Sequence, residues 1–177
     1  MGRKCTQNKV SHLISKIEIN KANCCKNCSL RLYAKNDDKI TFGIGNIYTN
    51  TILILPSYDV NLGEESNSML SIVKDNYTKI IGRNIFEDCY ITRYIKCFNK
   101  TDFNLNDDAI KYCIHHLIYE INRIRPRKII TFGDKYEEYI QNNYIPIFNV
   151  INPAVMFYDN ENLKNKFVEQ FRIAILS

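Results

Sequence analysis

Tryptophan is absent from the 177 residues, and no apolar stretch approaches the length of a membrane span. The opening segment, MGRKCTQNKVSHLISK, lacks the apolar run of a signal peptide, so a cytoplasmic protein with no membrane partner is expected. Internal repeats, low-complexity tracts and linkers are missing as well. That excludes a repeat array and points to a single domain over residues 1–177. Acidic residues are outnumbered, 19 against 24 Lys and Arg, for a formal charge of +5. Such an excess is compatible with nucleic-acid binding, yet it is equally common on proteins that bind none.

The rest of the composition is ordinary for a globular chain, with 45% hydrophobic and 24% charged residues. Ile, Asn, Lys and Tyr are abundant in the way an AT-rich coding sequence produces, so those residue types carry little functional weight one by one. Seven cysteines is a high count for a cytosolic chain of this size. In a reducing compartment they read as metal ligands or buried thiols rather than disulfides.

Along the chain, Val10 to Lys21 has the spacing of a short helix. Lys39 to Phe42 and Asn46 to Tyr48 read as extended pieces around Gly43 and Gly45. Thr51 to Leu55 is a continuous apolar run ended by Pro56, the pattern of a strand buried on both faces. A helix is expected over Ser66 to Asn76 and a second strand over Cys89 to Ile95. Asp107 and Asp108 then open a long amphipathic helix through Ile124, closed by Pro126. Lys128 to Phe132 and Tyr144 to Val150 complete four strands, with helices from Lys135 to Gln141 and from Leu163 to Leu176. Strands alternating with helices imply a parallel sheet covered on both faces.

Cys25 and Cys28 form a C-x-x-C pair, and Cys97 and Cys113 follow far downstream, after a strand and inside the long helix. Four thiolates from separate elements can close a tetrahedral zinc site or hold an iron–sulfur cluster. Scattered buried thiols are the plain alternative, and a thioredoxin-like redox pair a third, disfavoured by the order of elements around it.

Taken together, the cysteine pair within Asn23 to Leu30, Phe42-Gly43-Ile44-Gly45-Asn46, Tyr90 to Cys97 and Asn152-Pro153-Ala154 resemble motifs of the iron–sulfur uracil-DNA glycosylases of family 4. Residues Asn23 to Leu30 are similar to that family's cysteine pair, and Phe42-Gly43-Ile44-Gly45-Asn46 to its F-G-x-G-N. Tyr90 to Cys97 is similar to its Y-I-T-N-x-x-K-C, and Asp107 to Gly133 to a helix with the fourth cysteine followed by a P-x-x-I-I strand. Asn152-Pro153-Ala154 falls where the family has H-P-A or H-P-S. The resemblance implies a three-layer α/β/α sandwich with a central, mainly parallel four-stranded sheet. It also implies a structural 4Fe–4S cluster on Cys25, Cys28, Cys97 and Cys113, leaving Cys5, Cys24 and Cys89 as spare thiols, with Cys24 a competitor for the place of Cys25.

The catalytic blocks depart from the family pattern. Where active relatives have G-E-x-P-G, this chain has Pro56-Ser57-Tyr58-Asp59-Val60, with Ser57 at the glutamate position and Asp59 a displaced acid. The uracil-stacking phenylalanine has no counterpart, since no aromatic lies between Val60 and Asp75 and Leu62 is the nearest apolar substitute. Arg93 replaces the asparagine that reads uracil, and a guanidinium has donors but no acceptor. Asn152 replaces the histidine; it can donate a hydrogen bond to an oxyanion but cannot bring a positive charge.

These departures imply a non-catalytic homologue, its former site marked by Ser57, Asp59, Arg93 and Asn152. Binding would fall to Tyr58, Arg93, Asn152, Pro153, Ala154 and Met156. The implied partners are DNA, a replication protein or a DNA-mimicking glycosylase inhibitor, in viral or mobile-element DNA replication, with the protein a monomer. The alternatives are a glycosylase of altered specificity using Asp59, Asn152 and Arg93, and a zinc-bound scaffold without a nucleic-acid role. His115 and His116 read as a solvent-facing pair, and the Arg123 to Lys128 basic run as a solvated helix end.

Overall fold

The apolar run from Thr51 forms strand β2 (Thr51–Leu55), and all five of its residues are buried. Successive side chains of a strand point to opposite faces, and here both faces are covered. Ile52 and Ile54 enter one core cluster, while Leu53 and Leu55 enter the other. The same division runs through β3 (Tyr90–Arg93), where Tyr90 and Ile91 part company, and β4 (Lys128–Phe132), where Ile129 opposes Ile130 and Phe132. The computed structural model describes residue 28 and residues 42–56, 69–96, 107–133, 140 and 144–177.

With β1 (Ile44–Gly45) and β5 (Ile147–Val150), the described strands make one five-stranded sheet in the order β1-β3-β2-β4-β5. Leu53 pairs with Ile91 on one side and Ile130 on the other, and Ile130 with Phe148, all in parallel register. Only β1 runs antiparallel, pairing Ile44 with Ile91. The four parallel strands are those expected from the sequence. The fifth, at the edge, corrects the four-stranded expectation, because a two-residue strand carries no periodicity to read.

Helix α3 (Asp107–Ile124) covers one face through Cys113, Ile114, Leu117 and Ile121. Helices α1 (Met69–Ile81) and α4 (Glu161–Leu176) cover the other through Leu70, Val73, Tyr77, Phe167, Phe171 and Ala174. The three-layer α/β/α sandwich follows. Phe132, Phe167 and Phe171 form its aromatic centre, with ring centroids 5.6–6.4 Å apart. Asn160 caps α4 by accepting from the Leu163 amide at 3.1 Å.

Local boundaries moved where local chemistry outweighed hydrophobic pattern. Asn46 to Tyr48 is a turn rather than an extended piece, because the Asn46 side chain accepts from the Tyr48 amide at 2.9 Å. Helix α1 continues past Asn76 to Ile81, and a one-turn helix α2 (Ile85–Asp88) precedes β3 on an Asn84 cap. Strands β3 and β5 are shorter than their apolar runs, and α4 starts two residues before Leu163. The helices expected over Val10 to Lys21 and Lys135 to Gln141 lie outside the described residues, apart from Ile140.

Candidate functional site

In parallel α/β sheets, ligands bind beyond the carboxyl ends of the strands, at the point where the strand order reverses. Here β2 connects outward to β3 while β4 connects the other way to β5, so the switch lies between β2 and β4. β2 ends at Leu55 and the buried Pro56; Ser57, Tyr58 and Asp59, which follow, lie outside the described residues. β4 ends at Phe132, and Gly133 then adopts a φ of 86°. A Cβ on Gly133 would stand 4.0 Å from the Cβ of Asn152, so the chain leaving β5 returns beside the end of β4.

Asn152 heads a 3-10 helix over Pro153–Phe157, and its side-chain oxygen accepts from the Ala154 amide at 2.9 Å. That bond satisfies a donor the short helix would otherwise leave bare. Pro153 is buried and Ala154 is half-buried. Met156 packs with Val155 against the core on the α1 and α4 side, while Phe157 and Tyr158 stand 56% and 61% exposed.

Arg93 is the last residue of β3, level with Leu55, and only 3% exposed. Alternation sends it to the face opposite Thr92, towards the α1 and α4 side. The structure therefore brings Arg93 and Asn152 to the same end of the sheet. Three inter-strand spacings separate β3 from β5, however, roughly 14 Å.

On the other face lies a buried polar cluster centred on Glu120, which is 4% exposed. Its Oε1 accepts from the Gly43 amide at 2.8 Å and the Tyr90 hydroxyl at 2.7 Å. Its Oε2 accepts from the Thr92 hydroxyl at 2.8 Å and pairs with the Lys96 ammonium. Lys96 is wholly buried, and loss of hydration pulls its pKa down while the Glu120 carboxylate pulls it back up. Burial beside the same carboxylate raises the Tyr90 phenol above its ordinary range.

The Lys96 backbone amide donates to Cys113 Sγ at 3.2 Å, and Cys113 is 7% exposed. Cys28 packs against the same core cluster as Cys113, and Cys28, Cys89 and Cys113 carry thiols rather than disulfides. Two of the four expected ligands thus reach one side of the sheet. Cys25 and Cys97 lie outside the described residues, as do Cys5 and Cys24; among the described residues no group of three or more His, Cys, Asp or Glu is placed to hold a metal.

Two readings of the surface need correction. His115 is exposed, but His116 is buried at 5%, because consecutive helical positions lie 100° apart and only one can face solvent here. In the basic run Arg123, Arg125 and Arg127 are exposed. Lys128 instead donates to the carbonyls of Ala174 and Ile175 at 2.9 and 2.6 Å, closing the end of α4. The Glu120 cluster was not singled out from sequence. The available signal was a carboxylate within the apolar stripe of α3, seven positions after Cys113 and three after Leu117.

At the opposite end of the sheet, a cleft of about 370 Å³ is lined by residues including Asn46, Thr49, Tyr77, Arg83, Asp88 and Cys89. Its polar groups bond to one another. Tyr77 donates to Asp88 at 2.7 Å, Arg83 pairs with Asp88 at 3.1 Å, and Asn46 donates to the Glu87 carbonyl at 2.7 Å.

The uracil DNA glycosylase superfamily model matches residues 63–175, more than half of the chain. No curated protein matches it. Among the described residues no helix is long and apolar enough to cross a membrane.

Proposed function

The chain belongs to the uracil DNA glycosylase superfamily, and on that premise we propose that it is an iron–sulfur-type member that binds without excising uracil. The observation that carries this reading is Arg93. It stands where the resembling motif has a uracil-reading asparagine, at the carboxyl end of β3, with its side chain 3% exposed. A guanidinium cannot offer the donor and acceptor pair that an amide presents to a base edge. At the other catalytic position, the Asn152 side-chain oxygen is engaged by the Ala154 amide, and the residue has no charge to offer a departing uracil anion.

The cofactor reading rests on the cysteines. Cys28 and Cys113 pack in the same core, and a backbone amide is aimed at the Cys113 sulfur, as hydrogen bonds to cluster thiolates commonly are. The donor set fits a 4Fe–4S cluster held by Cys25, Cys28, Cys97 and Cys113. That cluster would act structurally, tying the N-terminal segment to the chain after β3 and to α3. The C-x-x-C pair and F-G-x-G-N precede residue 63, so this subtype rests on the motifs rather than on the superfamily match.

The binding face we assign is the end of the sheet that carries Arg93, Asn152 and the exposed Phe157 and Tyr158, with Tyr58 expected there from the sequence. DNA is the favoured ligand because members of the matched superfamily act on it, with the +5 formal charge compatible, and a protein partner on the same face is the other outcome of the test. The test is a uracil-release assay on single- and double-stranded DNA with anaerobically purified protein, run beside a binding assay on the same substrates. Brown protein that retains DNA without releasing uracil is the expected result. Uracil release above that of an Asn152→Ala control would overturn the non-catalytic reading, and absence of DNA binding would turn the search to proteins.

A further inference from the structure

Glu120 has four acceptor sites on its two carboxylate oxygens, and the structure fills all four. The four donors come from three places: Gly43 before β1, Tyr90 and Thr92 on β3, and Lys96 beyond it. These four residues belong to the two motifs, F-G-x-G-N and Y-I-T-N-x-x-K-C, in which Arg93 alone breaks the pattern over Tyr90 to Cys97. The surviving positions converge on one carboxylate on α3, whereas strand alternation turns Arg93 towards the other face of the sheet.

Lys96 is the link to the cysteines. The β-ladder ends at Arg93, so the sheet no longer fixes the direction of the backbone at residue 96. Lys96 is instead held at both ends by α3. Its amide reaches Cys113 Sγ and its ammonium reaches Glu120, two helical turns further along, about 10 Å. A buried ion pair is rarely the most stabilising choice for such a position, because desolvation offsets most of the attraction. What a saturated, four-way carboxylate does supply is a defined position for every donor bound to it.

We propose that Glu120 is a positioning residue for the cysteine centre: by gripping the Lys96 side chain and the Thr92 hydroxyl, it keeps the Lys96 amide directed at the Cys113 sulfur. The proposal rests on the reading of Cys113 as a ligand. Cys97 follows Lys96 by one peptide bond, so the same grip sets the point from which the chain reaches that cysteine.

The test compares wild type with Glu120→Gln, Thr92→Val and Val73→Ala, the last a core truncation on the opposite face of the sheet. Two quantities are read on as-purified protein: alkylation of Cys113 by iodoacetamide, followed by peptide mass spectrometry, and exchange of the Lys96 amide. Glu120→Gln and Thr92→Val are expected to raise both rates by about tenfold, the worth of one such hydrogen bond, with Val73→Ala near wild type. In cluster-loaded protein the same two variants should lose iron to a chelator faster.

Unchanged rates in Glu120→Gln, or an equal rise in Val73→Ala, would overturn the proposal. If Glu120→Gln does not fold, Thr92→Val, which removes a single hydroxyl, decides alone. Colourless, iron-free wild type would defeat the cluster reading, while the alkylation and exchange rates would still judge what Glu120 does.

Discussion

Cys89 is 2% exposed at the start of β3, at the opposite end of the sheet from Arg93. Burial pushes its thiol up to about 12, with the Tyr77 hydroxyl, Lys128 and Arg83 drawing it down and Asp88 adding to the rise. The folded protein therefore keeps a proton that the unfolded chain gives up above about pH 8.5. The stability this thiol contributes is complete below that pH and drains as the pH climbs towards the folded value, by up to about 1.4 kcal/mol per pH unit. Tyr77 and Tyr90, whose phenols are also raised, join the loss only above about pH 10. Urea unfolding between pH 8.5 and 10 should show a smaller decline for Cys89→Ala than for wild type. Parallel declines would mean that the thiol ionises within the fold. The same burial that raises this pKa leaves Cys89 a protonated, unreactive thiol at neutral pH, consistent with a spare cysteine.

The elements end on devices of different strength. Helix α4 has an asparagine cap at one end and Lys128 reaching its last carbonyls at the other. Helix α3 ends less comfortably. Arg125, the residue after Ile124, takes a φ of 54°, and its amide returns to the Ile121 carbonyl at 2.8 Å. Glycine is the usual occupant of such a left-handed position, because a Cβ there crowds the carbonyl. Arg125→Gly is expected to stabilise the protein by up to about 1 kcal/mol, read as a raised urea midpoint with an unchanged slope. A fall in the midpoint would show that the exposed arginine makes contacts outweighing the strain. At β1 the geometry runs the other way. Gly45 has a φ of 107°, and a Cβ there would collide with the Cys89 carbonyl, so the second glycine of F-G-x-G-N is required for the edge strand to lie against β3.

At the scale of the whole molecule, the two faces of the sheet carry different burdens. The α1 and α4 face is an apolar core built around Phe132, Phe167 and Phe171. The α3 face combines apolar packing with the Glu120 cluster and two of the cysteines. Phe171→Ala should therefore cost about 3–5 kcal/mol, the range for emptying a well-packed aromatic site, and lower the urea midpoint accordingly. Alkylation of Cys113 and exchange of the Lys96 amide should be unaffected in the fraction that remains folded, since the sheet separates the two faces. A rise in either rate in step with loss of stability would mean that the two faces do not act independently.

What the sequence determined by itself was the set of long elements and their order. Thr51 to Leu55 and Lys128 to Phe132 are legible because a strand buried on both faces needs apolar residues throughout, and α3 because its apolar stripe repeats at helical spacing. Resemblance also marked the altered Arg93 and Asn152, through motifs that are contiguous in the chain. Tertiary structure alone decided the rest. It paired a two-residue β1 with β3, turned Lys128 onto a helix 46 positions away, and buried His116 while exposing His115. It also joined Gly43 to Glu120 across 77 positions. Periodicity reports which way a residue faces within its own element. Which distant donor meets a given carboxylate depends on how the sheet and helices pack, and no local pattern records that.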